Sequence, residues 1–130
     1  MKRILCVDDD QDILDIYEII LLAEGYSVKI SIFPVDILQL ILEFEPNLIM
    51  LDINMHEING LDVCRQVKSY ISNKNTPVIM ISSDESIHTA VCDFGATAII
   101  LKPFQVDYLV ETVKHHLDLS AAVVDEPNRN

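Results

Sequence analysis

Five short apolar runs divide the chain, at residues 4–7, 28–32, 48–51, 78–81 and 98–101. Four of them are almost continuously apolar and rich in Ile, Leu and Val, the pattern of strands covered on both faces in a parallel sheet. The run Val28-Lys29-Ile30-Ser31 alternates instead, which predicts an edge strand with one wetter side. Between the runs the period changes to three and four. Ile13, Ile16, Tyr17, Ile20 and Leu21 mark one face of a helix, and Asp10, Asp12 and Asp15 sit near the end where the helix dipole favours acids. Gly25 reads as its C-terminal cap. Further helices are predicted over residues 34–44, with Pro34 in the first turn, over 61–70, over 86–94 closed by Gly95, and over 105–119. Strand and helix alternate five times, which specifies an α/β doubly wound domain over residues 1–119. Residues 120–130 read as a tail or a linker stub.

Composition narrows this picture. The chain has 130 residues, a size for one domain that needs no disulfide staples. Nine Lys and Arg against 21 Asp and Glu give a formal net charge of −12, which argues against direct nucleic-acid binding because phosphate contacts need a basic face. It points to cations, a basic partner or simple solubility. Cys6, Cys64 and Cys92 form no C-x-x-C pair and read as reduced core thiols. The apolar run before Asp8 is too short for a signal peptide, and no run reaches the roughly 20 residues of a membrane span. The expectation is a soluble cytoplasmic domain.

The polar residues that end the runs carry the chemistry. The first run ends at Asp8 and Asp9, the third at Asp52, the fourth at Ser82 and the fifth at Lys102. In a parallel sheet these ends share one edge, where doubly wound folds place their ligands. Three close carboxylates repel one another unless a cation intervenes. Lys102 supplies one positive charge, and the remainder suits a hard divalent ion such as magnesium. A cation, an ammonium and a hydroxyl around one carboxylate are also the parts that stabilise a transferring phosphoryl group. The carboxylate can itself be the nucleophile, forming an aspartyl phosphate. Asp8 and Asp9 suit metal binding as a pair, so Asp52, flanked by Ser82 and Lys102, is the expected acceptor.

These residues resemble the receiver domain of two-component response regulators over residues 2–119. The resemblance rests on Ile4-Leu5-Cys6-Val7-Asp8-Asp9-Asp10, Leu51-Asp52-Ile53-Asn54-Met55 with Asn59-Gly60-Leu61, Pro77-Val78-Ile79-Met80-Ile81-Ser82-Ser83, Phe94-Gly95-Ala96 and Leu101-Lys102-Pro103-Phe104. It implies a flavodoxin-like sheet of strand order 2-1-3-4-5. It implies phosphoryl transfer to Asp52 from a phosphohistidine on a sensor histidine kinase or histidine phosphotransfer protein. Such a module catalyses its own phosphorylation and slow dephosphorylation, without being an enzyme in the metabolic sense. By the same carry-over Asp9, Asp52 and the backbone carbonyl of Asn54 ligate Mg²⁺, Asp8 orients water or metal, and Ser82 and Lys102 contact phosphoryl oxygens. Lys102-Pro103 is expected to be cis. Asn54 and Asp84 would border the phosphoryl group, with Asp84 acting on the water of hydrolysis. A surface including the fourth and fifth helices would meet an output protein or domain, or a second copy in a homodimer.

Three positions depart from the family's pattern. His56 stands where proline is usual, which predicts a looser loop after Asp52. Ile99 replaces the usual Tyr or Phe, so an aromatic switch at that position is not expected. The fourth helix lacks the usual basic residues and carries Ile87, Val91 and Phe94 instead, an unusual partner face. Rival readings fare worse. Asp8, Asp10 and Asp12 open like a calcium loop, but Ile13 and Ile19 occupy its glycine and glutamate positions. A haloacid-dehalogenase-type phosphohydrolase would need Thr or Val after D-x-D, which Gln11-Asp12 does not supply. The remaining alternative is a receiver-like module that binds partners without phosphorylation.

Overall fold

The computed structural model describes residues 1–32, 36–71 and 75–124, with side chains described as far as Ala121. Strands β1 (Arg3–Val7), β2 (Ser27–Ser31), β3 (Leu48–Leu51), β4 (Val78–Ser82) and β5 (Ala98–Leu101) form one sheet. All pairings are parallel and the order is β2-β1-β3-β4-β5. This is the doubly wound, flavodoxin-like topology expected. In β1, Ile4 pairs with Val28 on one side and with Leu48 on the other.

Alternation of side chains about the pleat divides the core into two layers. Ile4, Cys6, Leu48, Met50, Ile79 and Ile81 pack beneath α1 (Gln11–Ala23) and α5 (Val106–Val124), which contribute Leu14, Tyr17, Leu21, Leu109, Val113 and Leu117. Leu5, Val7, Ile49, Leu51, Val78 and Met80 face the other way. They are covered by α2 (Ile37–Phe44) and α3 (Gly60–Tyr70), and by a 3₁₀ turn (Glu85–Thr89) leading into α4 (Ala90–Phe94). Strands buried on both faces leave little room for polar groups, so the polar residues gather at the strand ends.

Several boundaries differ from the sequence reading. Helix α2 begins at Ile37, and the predicted start at Pro34 lies outside the described residues. The expected fourth helix is a 3₁₀ turn followed by a single α-helical turn. It closes at Gly95, whose φ of 83° is left-handed backbone that glycine adopts without a Cβ penalty. Helix α5 continues to Val124, into the stretch expected to be tail, and residues 125–130 lie outside the described residues. Cys6 and Cys64 are buried, but Cys92 is exposed on α4 and is not a core thiol. Ile87 is fully buried, so it belongs to the core, whereas Val91 is exposed.

Candidate functional site

Backbone hydrogen bonds carry the sheet one residue past its strands. Asp8 N–H donates to Ser31 O at 3.2 Å, Asp52 N–H to Val7 O at 3.1 Å, and Lys102 N–H to Ser82 O at 3.0 Å. Asp8, Asp52, Ser82 and Lys102 are thereby fixed along the carboxyl edge of the sheet, as the strand ends predict. Asp8, Asp52 and Ser82 are 1%, 8% and 2% exposed, and they are the buried polar residues among those described. Asp9 is half-buried beside them.

Lys102 links the two buried acids. Its Nζ lies 3.0 Å from Asp8 Oδ2 and 3.7 Å from Asp52 Oδ2. Asp8 Oδ1 accepts from Asp10 N–H at 3.0 Å, and Asp52 Oδ1 accepts from Ile53 N–H at 2.8 Å. Burial still pushes the Asp8 carboxyl above its ordinary range, aided by the Asp52 charge, and the bonds from Lys102 and Asp10 only partly offset this. One ammonium does not neutralise the cluster. Carboxylate oxygens of Asp8, Asp9 and Asp52 all lie within 4.8 Å of one another. An all-oxygen donor set with residual negative charge fits a hard divalent cation.

The loop after Asp52 carries backbone pairing and a bond to Asp9 that the replacement of proline does not predict. Asn54–Met55 and Ile58–Asn59 form a small antiparallel ribbon, with His56 in its turn at φ 55°. Proline holds φ near −65° and has no N–H, so it could take neither that conformation nor the bond found here. His56 N–H donates to Asp9 Oδ2 at 3.0 Å, and its Nδ1 lies 4.0 Å from the same oxygen. The loop is tied to the acid cluster rather than loosened. Asn59 Oδ1 accepts from Leu61 N–H at 2.8 Å and caps α3. The Lys102–Pro103 bond is cis, as expected.

Around Ser82 the structure holds a network that the sequence did not reveal. Asp84 N–H donates to Ser82 Oγ at 3.1 Å. Asp84 Oδ1 accepts from Ser86 N–H at 2.9 Å and from Ser86 Oγ at 2.7 Å, while Oδ2 accepts from Asn54 Nδ2 at 3.0 Å. The Ser86 bonds, followed by the Asn54 bond, hold the Asp84 carboxyl below its ordinary range. Asn54 and Asp84 were expected near the acceptor, but Ser86 was missed. The only hint was its place two residues after an Asp that could cap a helical turn.

Ile99 is half-buried and packs on the core beneath α4. Beside it a cavity of about 500 Å³ is lined by Ile99, Leu101, Pro103, Phe104, Gln105 and Tyr108. Arg65 of α3 reaches α4, donating to Asp93 O at 3.1 Å and lying 4.4 Å from the Phe94 ring centroid. Among the described residues no helix is long and apolar enough to cross a membrane.

Comparison with known proteins agrees with this geometry. Residues 4–114 match the family model of the response regulator receiver domain. The response regulator ArlR of Staphylococcus saprophyticus is 31% identical over 97% of the chain. The match takes in 61% of that relative, so the chain spans less than two thirds of its length. A CheY-like receiver domain protein of Methanospirillum hungatei superposes with a TM-score of 0.86 at 31% identity, covering 94% of this chain and 98% of that one. The receiver domain of NtrX from Brucella abortus gives a TM-score of 0.79 at 34% identity, covering 88% and 98%. Sheet order, the acids and lysine at its carboxyl edge, and the family match over most of the chain agree, and the protein belongs to the response regulator receiver domain family.

Proposed function

We propose that this receiver domain is a phosphoacceptor whose nucleophile is Asp52, charged from a phosphohistidine on a sensor histidine kinase or histidine phosphotransfer protein. The observation that carries the reading is the placement of Asp52. It lies at the end of the central strand, with Lys102 Nζ 3.7 Å from Oδ2 and Asp8 and Asp9 within reach of one cation. Asp8, Asp9, Asp52 and the Asn54 carbonyl would hold a Mg²⁺ ion, whose charge offsets that of an incoming phosphoryl group. The Lys102 ammonium is placed to pair with a phosphoryl oxygen once Asp52 is modified. The Ser82 hydroxyl already accepts the Asp84 N–H, so its proton is available for donation. Transfer forms a bond from an Asp52 oxygen to phosphorus as the bond to the donor nitrogen breaks.

Modification relieves one carboxylate charge of a crowded cluster and adds a bulkier dianion, so the contacts of Ser82 and Lys102 must change. Ser82 ends β4 and Lys102 directly follows β5, strands that border α4 and α5, which makes that side the output surface toward a further protein, a further domain or a second copy. Ile99 and the cavity beside it leave this switch without an aromatic ring at that position. We place the domain in the cytoplasm, where phosphohistidine donors are found.

Incubation with acetyl phosphate or phosphoramidate and Mg²⁺ tests the reading. The wild type is expected to gain one phosphoryl group and Asp52→Asn none. Full labelling of Asp52→Asn would sink the assignment. Beryllofluoride with Mg²⁺ separates it from the partner-binding module that ignores phosphate. A change in the amide spectrum around Ser82 and Lys102 supports the switch, and an unchanged spectrum supports the constitutive module.

A further inference from the structure

We infer that Ser86 is a positioning residue that sets the lifetime of the phosphorylated state by clamping the Asp84 carboxylate against Asn54. The inference rests on the phosphoacceptor reading of Asp52. Asn54 follows Asp52 by two residues, and Asp84 N–H is bonded to the Ser82 hydroxyl at 3.1 Å. Asp84 and Asn54 therefore approach the acceptor from two strand ends, and their side chains meet at 3.0 Å.

Each Asp84 oxygen is engaged. Oδ1 takes both the backbone N–H and the hydroxyl of Ser86, at 2.9 and 2.7 Å, and Oδ2 takes the Asn54 amide. A carboxylate and an amide tied to each other keep only one lone pair on Oδ2 and the outer N–H and carbonyl of Asn54 for water, and the tie holds these in one orientation. Hydrolysis needs such a water in line. Its oxygen bonds to phosphorus, the bond from phosphorus to the Asp52 oxygen breaks, and Asp52 leaves as a carboxylate. One proton of the water stays on the phosphate and the other passes to solvent. Removing the Ser86 hydroxyl takes away the shortest bond to Asp84 and leaves the backbone bond. The carboxylate can then turn from Asn54, and either group can hold the attacking water.

The clamp is also separate from the charge of the site. Ser86 is uncharged, and among the described residues its hydrogen bonds run to Asp84 and Thr89, not to Asp8, Asp9, Asp52 or Lys102. Its loss should alter the rate of hydrolysis and leave the rate of labelling nearly as it was.

The test is a chase. Wild type, Ser86→Ala, Ser86→Thr, Asp84→Ala and Asp84→Ala/Ser86→Ala are labelled with acetyl phosphate and Mg²⁺, the donor is removed, and the decay of the phosphoprotein is followed by intact mass. Ser86→Ala should lose its label about threefold faster, the size expected for releasing one partly exposed charge-assisted hydrogen bond. Ser86→Thr, which keeps the hydroxyl, should decay as the wild type does. In the Asp84→Ala background the Ser86 substitution should have no further effect, which a merely structural role would not produce. An unchanged or slower decay in Ser86→Ala overturns the clamp, as does an equal acceleration with Asp84 absent. A wild type that takes no label overturns the phosphoacceptor reading and the clamp with it. Labelling with an unaltered Ser86→Ala decay overturns the clamp alone.

Discussion

In Gly60→Ala the new methyl group must enter space already held by the main chain of Asp52. An ideal Cβ at residue 60 overlaps the Asp52 carbonyl oxygen and lies 2.7 Å from the Asp52 carbonyl carbon and 2.8 Å from Ile53 Cα. Non-bonded carbons rest about 3.5–4.0 Å apart, so the two segments must part by about 1 Å. The atoms in the way are backbone, so no rotamer change gives relief. The Gly60 N–H also donates to Ile53 O at 2.6 Å, and parting the segments stretches that bond. Overpacking of this kind costs about 1–3 kcal/mol, and alanine's better helix propensity at the start of α3 returns at most about 1 kcal/mol. A net loss of about 1–2 kcal/mol is expected, read as a lower urea midpoint with an unchanged slope. The effect on labelling should be larger, because a displacement of about 1 Å at a reacting group can cost about a hundredfold in rate. Initial rates of Mg²⁺-dependent labelling from acetyl phosphate measure it. A variant with wild-type midpoint and wild-type labelling would refute the reasoning.

Two further substitutions test the buried polar groups. Asp8→Asn removes a charge that burial disfavours by more than its bonds from Lys102 and Asp10 offset, so the metal-free variant should be the more stable protein at neutral pH, read by urea unfolding. The Asp8 carboxyl is raised above its ordinary value of 3.8, so its charge costs stability only above that value, and the advantage of Asp8→Asn should vanish as pH falls below it. With Mg²⁺ at saturation the order should reverse, because only the wild type gains binding energy from a full ligand set; an advantage that persists at low pH or in Mg²⁺ contradicts the account. Tyr17 is 2% exposed and its hydroxyl has no hydrogen-bond partner among the described residues, while its ring packs 5.8 Å from that of Phe104. Tyr17→Phe should therefore stabilise by about 1 kcal/mol in a thermal melt, and a loss of stability would show that the hydroxyl is satisfied.

The strand ends were legible in the sequence because an apolar run that stops at Asp8, Asp52, Ser82 or Lys102 states both the strand and its terminus. Parallel pairing then leaves those four residues one edge to share. The ribbon at Asn54–Met55 and Ile58–Asn59 was not legible, since strands of two residues are too short to show alternation. The fourth helix read as one element because Ile87, Val91 and Phe94 recur at helical spacing, and a 3₁₀ turn shares much of that spacing. The bond from His56 N–H to Asp9 spans 47 residues and depends on a left-handed turn that residue type alone does not announce. The same holds for the Asn54 to Asp84 contact, 30 residues apart. Side-chain polarity showed that these residues could bond, and only the packed loops show to what.

The central claim is that Asp52, among three neighbouring aspartates, carries the phosphoryl group. Peptide mapping of the protein labelled with acetyl phosphate and Mg²⁺ addresses it directly. The account predicts one modified residue, Asp52, with the label absent when Mg²⁺ is chelated and absent in Asp52→Asn. A label on Asp8 or Asp9, or one that persists in Asp52→Asn, would contradict it.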